Sequence, residues 1–396
     1  MWTYMRTFER THPWITFQCN LRDAGAFFWI SLGEVSSKCE HICRVPLRQS
    51  TAQKLHMLYL AKGVAATTAI EGNTLSEADV LKAVEGELTV PPSKQYLKQE
   101  VDNIIAVCND ICARVAKGAL EPLSPALLCS YNKQVLENLP VGEDVVPGDL
   151  RKHSVVVGNV YRGAPAEDCP YLVERLCEWL SGPDFQPPEM SSEGMNTVYA
   201  ILRAVVAHLY LAWIHPFGDG NGRIARLLEF HILLSAGVPS PAAHLLSNHY
   251  NQTRTEYYRQ LDRASKSSGE IVPFIQYAVS GFVDGLREQL KTINEQQWDV
   301  CWRDFVQEEF HNRNSPAATR QRYLALDLGD TAEWVEVGKI TKLSIRLAGE
   351  YAGKTAKTVQ RDVNALLDMG LIQREGYKVR ARRELILSFL PLRSWK

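Results

Sequence analysis

Apolar residues recur at helical spacing along most of this chain. Val101, Ile104, Ile105, Cys108, Ile111, Cys112 and Val115 fall at i, i+3, i+4, i+7, i+10, i+11 and i+14, one face of a 3.6-residue period. Tyr199 to Ile214 is the most apolar stretch, interrupted by Arg203 and His208; it is too short and too broken to span a bilayer and predicts a buried helix. Glu295 to Glu309 predicts a connecting helix, and Asn312 to Pro316 a break after it. One stretch departs from the habit. Ser154–Val157 and Val160–Tyr161 flank Gly158–Asn159 and predict a short hairpin with a two-residue turn. Such a hairpin is marginal alone, so it must pack on helices or have its edge covered by something that binds there. The chain is expected to be mainly α.

The last sixty residues have their own pattern. Ile345 to Tyr351 predicts a short helix, Ala352-Gly353-Lys354 a turn, and Thr355 to Met369 a second helix burying Val359, Val363, Leu366 and Leu367. Gly370 caps that helix. Leu371–Arg374 and Tyr377–Arg380, around Glu375–Gly376, predict a hairpin, which completes a winged helix-turn-helix. Charge reinforces the division. The 396 residues carry 44 basic and 45 acidic side chains, a net of −1, which excludes a uniformly basic protein. Residues 339–396 alone hold 13 Lys/Arg and five Asp/Glu, a net of +8, so the remainder is at −9. Lys354, Lys357, Thr358 and Arg361 are placed to face a DNA groove, and Lys378, Arg380, Arg382 and Arg383 to meet phosphates. The alternative for this basic face is protein contact or dimerisation.

The nine cysteines form no short-spaced even framework, which favours a reducing cytoplasm over a secreted, disulfide-stapled fold. Cys39, His41 and Cys43 offer a weak zinc signal without a second cluster, and Cys108 and Cys112 read as core. The amino terminus has no secretory leader pattern, and no membrane association is expected.

The segment from Ile214 to Arg226 carries the chemistry. Pro216 biases His215 away from helix, so the buried helix should end there. Gly218, Gly220 and Gly222 let successive N–H groups turn toward one point, and helical character resumes at Arg223. A Gly-rich loop entering a helix N-terminus is an anion site. Arg223 and Arg226, three apart, can both reach phosphate oxygens. Asp219, the one carboxylate in the loop, suits a Mg²⁺ bridging to phosphates, and His215 suits a general base. Together they describe phosphoryl or nucleotidyl transfer.

His-Pro-Phe-x-Asp-Gly-Asn-Gly-Arg-x-x-Arg, matched by His215 through Arg226 at every fixed position, resembles the signature of Fic-domain proteins. The resemblance implies a helical fold and transfer of AMP from ATP to a hydroxyl side chain of a target protein, with release of pyrophosphate. It implies that His215 deprotonates the target hydroxyl and that Asp219 holds Mg²⁺ between the α- and β-phosphates. Gly220, Asn221 and Gly222 would line the anion hole, Arg223 would meet the β-phosphate, Arg226 the γ-phosphate, and Phe217 would anchor the loop. Gly222 favours AMP transfer over the phosphate transfer of Doc-type kinases, which differ there. Thr67-Thr68-Ala69-Ile70-Glu71-Gly72 resembles the family's inhibitory motif. Thr67 and Glu71 share a helix face, and Gly72 can end that helix. Glu71 would pair with Arg226 in place of the γ-phosphate, so that ATP binds only with its α-phosphate misaligned. The strand at Val155, Val156 and Val157 matches the family's flap, which docks the target segment as an added strand. Tyr258, in Tyr257–Tyr258, is similar to the region lining the adenine pocket.

These readings divide the chain into an N-terminal segment (1–45), a Fic-type core (46–290) with its inhibitory helix near 60–72, connecting helices (291–334) and a winged helix-turn-helix (335–396). The expected function is that of an autoinhibited protein adenylyltransferase using ATP and Mg²⁺ on an unidentified hydroxyl-bearing protein, itself included. DNA and a second copy of the chain are further candidate partners. The alternatives are a DNA-binding regulator whose core senses nucleotide, and removal of AMP or transfer of another nucleotide on the same scaffold.

Overall fold

The computed structural model describes residues 6–157, 161–189, 193–267, 269–331 and 333–386. The chain forms two compact units, 1–290 and 291–396. It is mostly helical, as the periodicity predicts.

In the first unit the helices are α1 (Thr7–Thr11), α2 (Gly25–Arg44), α3 (Gln49–Ile70), α4 (Glu77–Val84), α5 (Gln95–Ala116), α6 (Pro125–Val135), α7 (Cys169–Leu180), α8 (Glu193–Ile214), α9 (Asn221–Ser235), α10 (Ser240–Ala243), α11 (Leu245–Gln252) and α12 (Arg254–Lys266). The helix α13 (Val272–Glu309) contributes to both units. It begins well before the connecting helix read from the sequence. The paired helices α8 and α9 form the centre, with α2 and α7 against α8 and α3, α5 and α6 against α9. Ile201, Val205, Leu209, Ile214, Ile224 and Leu233 are fully buried there. By length and composition Gly194–Ile214 could cross a membrane, but it is a core helix of this unit. It packs against α2, α7 and α9, so apolar residues are wanted on more than one face.

Residues 6–44, for which no motif was legible, are built into the same unit. Helix α2 packs on α8. The Phe8 N–H donates to Asp168 at 2.7 Å, and His12 Nε2 lies 2.9 Å from the Arg162 carbonyl. Cys39 turns into the core while Cys43 is exposed, so the Cys39–His41–Cys43 group does not converge.

The hairpin forms from β1 (Val156–Val157) and β2 (Tyr161–Arg162), antiparallel, with Val157 opposite Tyr161. This register leaves three residues, 158–160, between the paired positions, where a two-residue turn was expected. Gly158, Asn159 and Val160 lie outside the described residues. Val155 precedes the strand, and its carbonyl accepts from the Gly163 N–H at 3.2 Å.

The second unit takes the end of α13, then α14 (Pro316–Gly329), α15 (Ile345–Glu350) and α16 (Ala356–Asp368), with a sheet of β3 (Val335–Glu336), β4 (Ile372–Glu375) and β5 (Lys378–Ala381) in the order β3-β5-β4. The expected break at 312–316 falls before α14, where Ser315 Oγ accepts from the Ala318 N–H and Pro316 takes the first turn. Trp302, Val306, Leu324, Val363, Leu366 and Val379 share one core, so residues 302–328 pack with α16 and the β-sheet. The buried Arg320–Asp362 pair (3.0 Å) joins α14 to α16. Glu375 pairs with Lys378, which puts the hairpin turn at Gly376–Tyr377, one residue later than expected; Gly376 sits at φ +58°, a conformation that favours glycine.

Candidate functional site

The loop between α8 and α9 is held rigidly. Helix α8 ends at Ile214, and His215 adopts φ +50°, uncommon for a side chain of its size. Phe217 is fully buried. Its N–H donates to Asn221 Oδ1 (2.9 Å) and its carbonyl accepts from Asn221 Nδ2 (2.8 Å). The Asn221 side chain thus ties the loop together, and only its backbone N–H is left to face an anion. Gly220 has φ +82° and supplies the N-cap of α9, whose first N–H groups lack helical acceptors. Asn132, not anticipated from sequence, bridges the loop to α6 by donating to the Asp219 carbonyl (2.9 Å) and accepting from the Gly148 N–H (2.9 Å).

Both arginines are buried and paired. Arg226 Nη2 donates to Glu71 Oε1 (2.5 Å) and to the Thr67 carbonyl (3.0 Å). The contribution of Thr67 is therefore its backbone oxygen. Glu71 follows the last residue of α3, and Gly72 turns the chain at φ +102°. A Cβ on Gly222 would collide with Glu71 Oε1, so the carboxylate occupies the space over the glycine. Arg223 donates to Glu100 Oε1 (2.8 Å) and Asp219 Oδ1 (2.9 Å). Glu100 also accepts from Asn73 Nδ2 at 2.9 Å. Glu100 was missed because it lies in no recognisable motif, and Asn73 because it closes the inhibitory segment without being one of its fixed positions. Two arginines thus meet three carboxylates, and the pocket read from sequence as cationic is neutralised in this state.

Burial pushes the Glu71 carboxyl up, but the charge and hydrogen bond of Arg226, with Arg223 and His215 beyond, outweigh it and hold it below the usual range. His215 is pushed down to about 4, first by burial and further by the Arg151 charge, against the Ala212 carbonyl, Glu71 and Asp219, which pull it up. It is neutral near pH 7, the form a base needs.

Glu71, Tyr161, His215, Gly222, Arg226 and Tyr258 line one cavity of about 550 Å³. Tyr257 also lines it, its hydroxyl 2.9 Å from His208 Nε2. Val157 also lines the cavity, and Val156 is exposed. The two-stranded sheet leaves one edge of β1 without a partner strand among the described residues. Among the described residues no group of three or more His, Cys, Asp or Glu could hold a metal. Asp219 is 45% exposed at its side chain, and its interactions run through Oδ1. One carboxylate with a free oxygen fits a Mg²⁺ whose other ligands are phosphates and water.

On the second unit, Lys354, Lys357 and Arg361 are exposed and Thr358 is half-buried. Of the hairpin cations, Arg383 is tied to Asp299 (2.6 Å) and the Gly329 carbonyl (3.1 Å), and Arg380 stacks over Trp334 at 5.0 Å. These are internal partners of two of the four cations expected to meet phosphates.

A sequence model of the Fic/DOC family matches residues 122–233. The protein adenylyltransferase fic-1 of Caenorhabditis elegans is 30% identical over 214 residues, 53% of this chain and 37% of that protein. The Drosophila mojavensis protein adenylyltransferase Fic is 28% identical over 208 residues, 52% of this chain and 37% of that one. The chain therefore spans well under half the length of these relatives. A Fic family protein from Desulfovibrio desulfuricans superposes with a TM-score of 0.56 at 18% identity, covering 92% of this chain and 97% of the other. Residues 134–508 of Fic-1 from C. elegans superpose with a TM-score of 0.53 at 24% identity, covering 68% and 73%. At such identities the structures share the fold alone. The family model, the relatives and the fold agree that this chain carries a Fic/DOC-family domain, matched over residues 122–233.

Proposed function

We propose that the chain is an autoinhibited protein adenylyltransferase. The observation that carries the reading is the Glu71–Arg226 pair over Gly222, in the cavity that His215 lines. When Glu71 withdraws, Arg226 and the N-terminal amides of α9 are free for the triphosphate of ATP, and Arg223 adds a second cation beside Asp219. Asp219 would hold Mg²⁺, which supplies charge neutralisation on the phosphates. His215 accepts the proton of a target Ser, Thr or Tyr hydroxyl. The hydroxyl oxygen bonds to the α-phosphorus as the bond to pyrophosphate breaks. Tyr258 lines the same cavity, which supports stacking of an adenine ring on it, and the free edge of β1, with Val155 before it, suits an added strand of the target. Incubation with α-labelled ATP and Mg²⁺ tests the reading: label should appear on protein, strongly in Glu71→Gly and not in His215→Ala.

Removal of AMP is a second reading, favoured by one observation. Glu71 is held ionised in the same cavity as His215 and could orient a water. Under it, Glu71→Gly would lose release of AMP from a modified protein. We assign 46–290 to the catalytic core and 335–396 to a winged helix-turn-helix. Exposed Lys354, Lys357 and Arg361 support DNA as its ligand, and a dimer contact is the other use of that face.

A further inference from the structure

Arg151 is buried at 4% exposure yet forms no ion pair among the described residues. Its guanidinium instead gathers backbone carbonyls. Nε donates to the His215 carbonyl (2.7 Å), Nη1 to the His153 carbonyl (2.7 Å), and Nη2 to the Ala164 carbonyl and to that of Ile214 (3.3 Å). Its own N–H donates to the Pro216 carbonyl at 2.9 Å, and the Ala164 N–H to the Ile214 carbonyl at 3.2 Å. Three successive carbonyls, 214 to 216, are thereby held from one residue and its neighbour across the gap. The first belongs to the last residue of α8, Ile214, where a cation is favoured by the helix dipole. The remaining contacts, His153 and Ala164, flank the hairpin on either side.

The packing leaves no slack. A Cβ on Gly163 would lie 3.0 Å from both Arg151 Nη2 and His215 Cβ. The root of the hairpin therefore abuts the base residue directly. His215 holds its left-handed backbone at this point, and such a conformation persists only where surroundings over-determine it.

We propose that Arg151 is a positioning residue that clamps the His215 loop to the root of the β1–β2 hairpin, so that the target-docking strand and the base keep one fixed geometry. The proposal rests on the reading of His215 as the base and β1 as the docking edge. Only the planar fork of arginine serves four carbonyls in three directions; a lysine ammonium keeps the charge and loses the fork. The groups facing His215 are Arg151, Glu71 and Asp219, so removing the Arg151 charge also favours protonation of the imidazole.

Hydrogen exchange on the full chain tests the clamp without reference to activity. In Arg151→Met, and more weakly in Arg151→Lys, exchange should rise about tenfold in peptides covering 161–166 and 211–218 together, with 224–234 changed by less than about twofold. A loosened hairpin beside a still protected 211–218, no change in either, or an equal rise in 224–234 would each overturn it. In a Glu71→Gly background, Arg151→Lys should lower kcat for AMP transfer about 100-fold while KM for ATP stays within about threefold. A matching rise in KM for ATP would overturn the positioning role. If the Glu71→Gly parent transfers nothing, the adenylyltransferase reading fails, and the exchange result still decides the clamp.

Discussion

Replacing Glu71 by glycine removes the carboxylate that Arg226 now holds. An exposed ion pair contributes about 0–1 kcal/mol, and severing a fully buried one costs about 3–5 kcal/mol. This pair lies between, with Arg226 at 1% side-chain exposure and Glu71 at 33%. Discounted for solvent at the Glu71 end, its contribution is about 2 kcal/mol, or roughly 30-fold in an equilibrium constant. In the unmodified chain ATP must displace Glu71 to reach Arg226. In Glu71→Gly it need not, so ATP should bind about 30-fold more tightly and label should accumulate at least that much faster at limiting ATP. Glu71→Ala should match it, since the effect belongs to the carboxylate, and Glu71→Gln should fall between. Acid is a poor substitute for the mutation. The folded pKa of Glu71 lies below its ordinary 4.5, so the contact is fully present above that value and is lost only as pH falls through the depressed one. The assay is incorporation from α-labelled ATP with Mg²⁺ at matched concentrations, beside direct ATP titration. Equal incorporation in the mutant and the unmodified chain would refute the brake.

Three further outcomes are expected. His215→Ala should abolish transfer with ATP affinity within about threefold, and the acid limb of kcat/KM should lie near the depressed value of about 4, because the neutral base dominates above its folded pKa; a limb near 6.5 would contradict its burial. Glu100→Ala should destabilise the chain by about 2–4 kcal/mol in urea unfolding, since Arg223 and Asn73 each lose a buried partner, whereas a change under about 0.5 kcal/mol would mean that Asp219 alone suffices. Lys357→Glu with Arg361→Glu should remove salt-sensitive duplex binding and flatten the salt slope by about 2; retained binding would assign the face to protein contact.

How much of this was legible depends on range along the chain. His215 to Arg226 could be read as an anion loop because glycine freedom, the proline break and the helix start act between neighbours. Glu71 was legible by its motif, and the structure seats it on Arg226, 155 residues away. Other long-range partners left no trace. Glu100 lies 123 residues from Arg223 and is one of many acidic residues on helices. Arg151 reads as one more cation ahead of a hairpin, yet packing removes it from water and leaves backbone carbonyls as its acceptors. That Arg383 would also meet Asp299, 84 residues away, left no trace either.

The sequence by itself determined the helical elements, the loop that can hold an anion, the carboxylate poised to block it and the separate basic end. Each follows from local sterics, periodicity or composition, which do not wait on the fold. Tertiary structure alone decided which charges neutralise one another, the register of the hairpin and the burial of Arg151 against the base. Those depend on which distant segments share a volume from which water is excluded, where a charge or a carbonyl must find its partner among whatever packing has brought near.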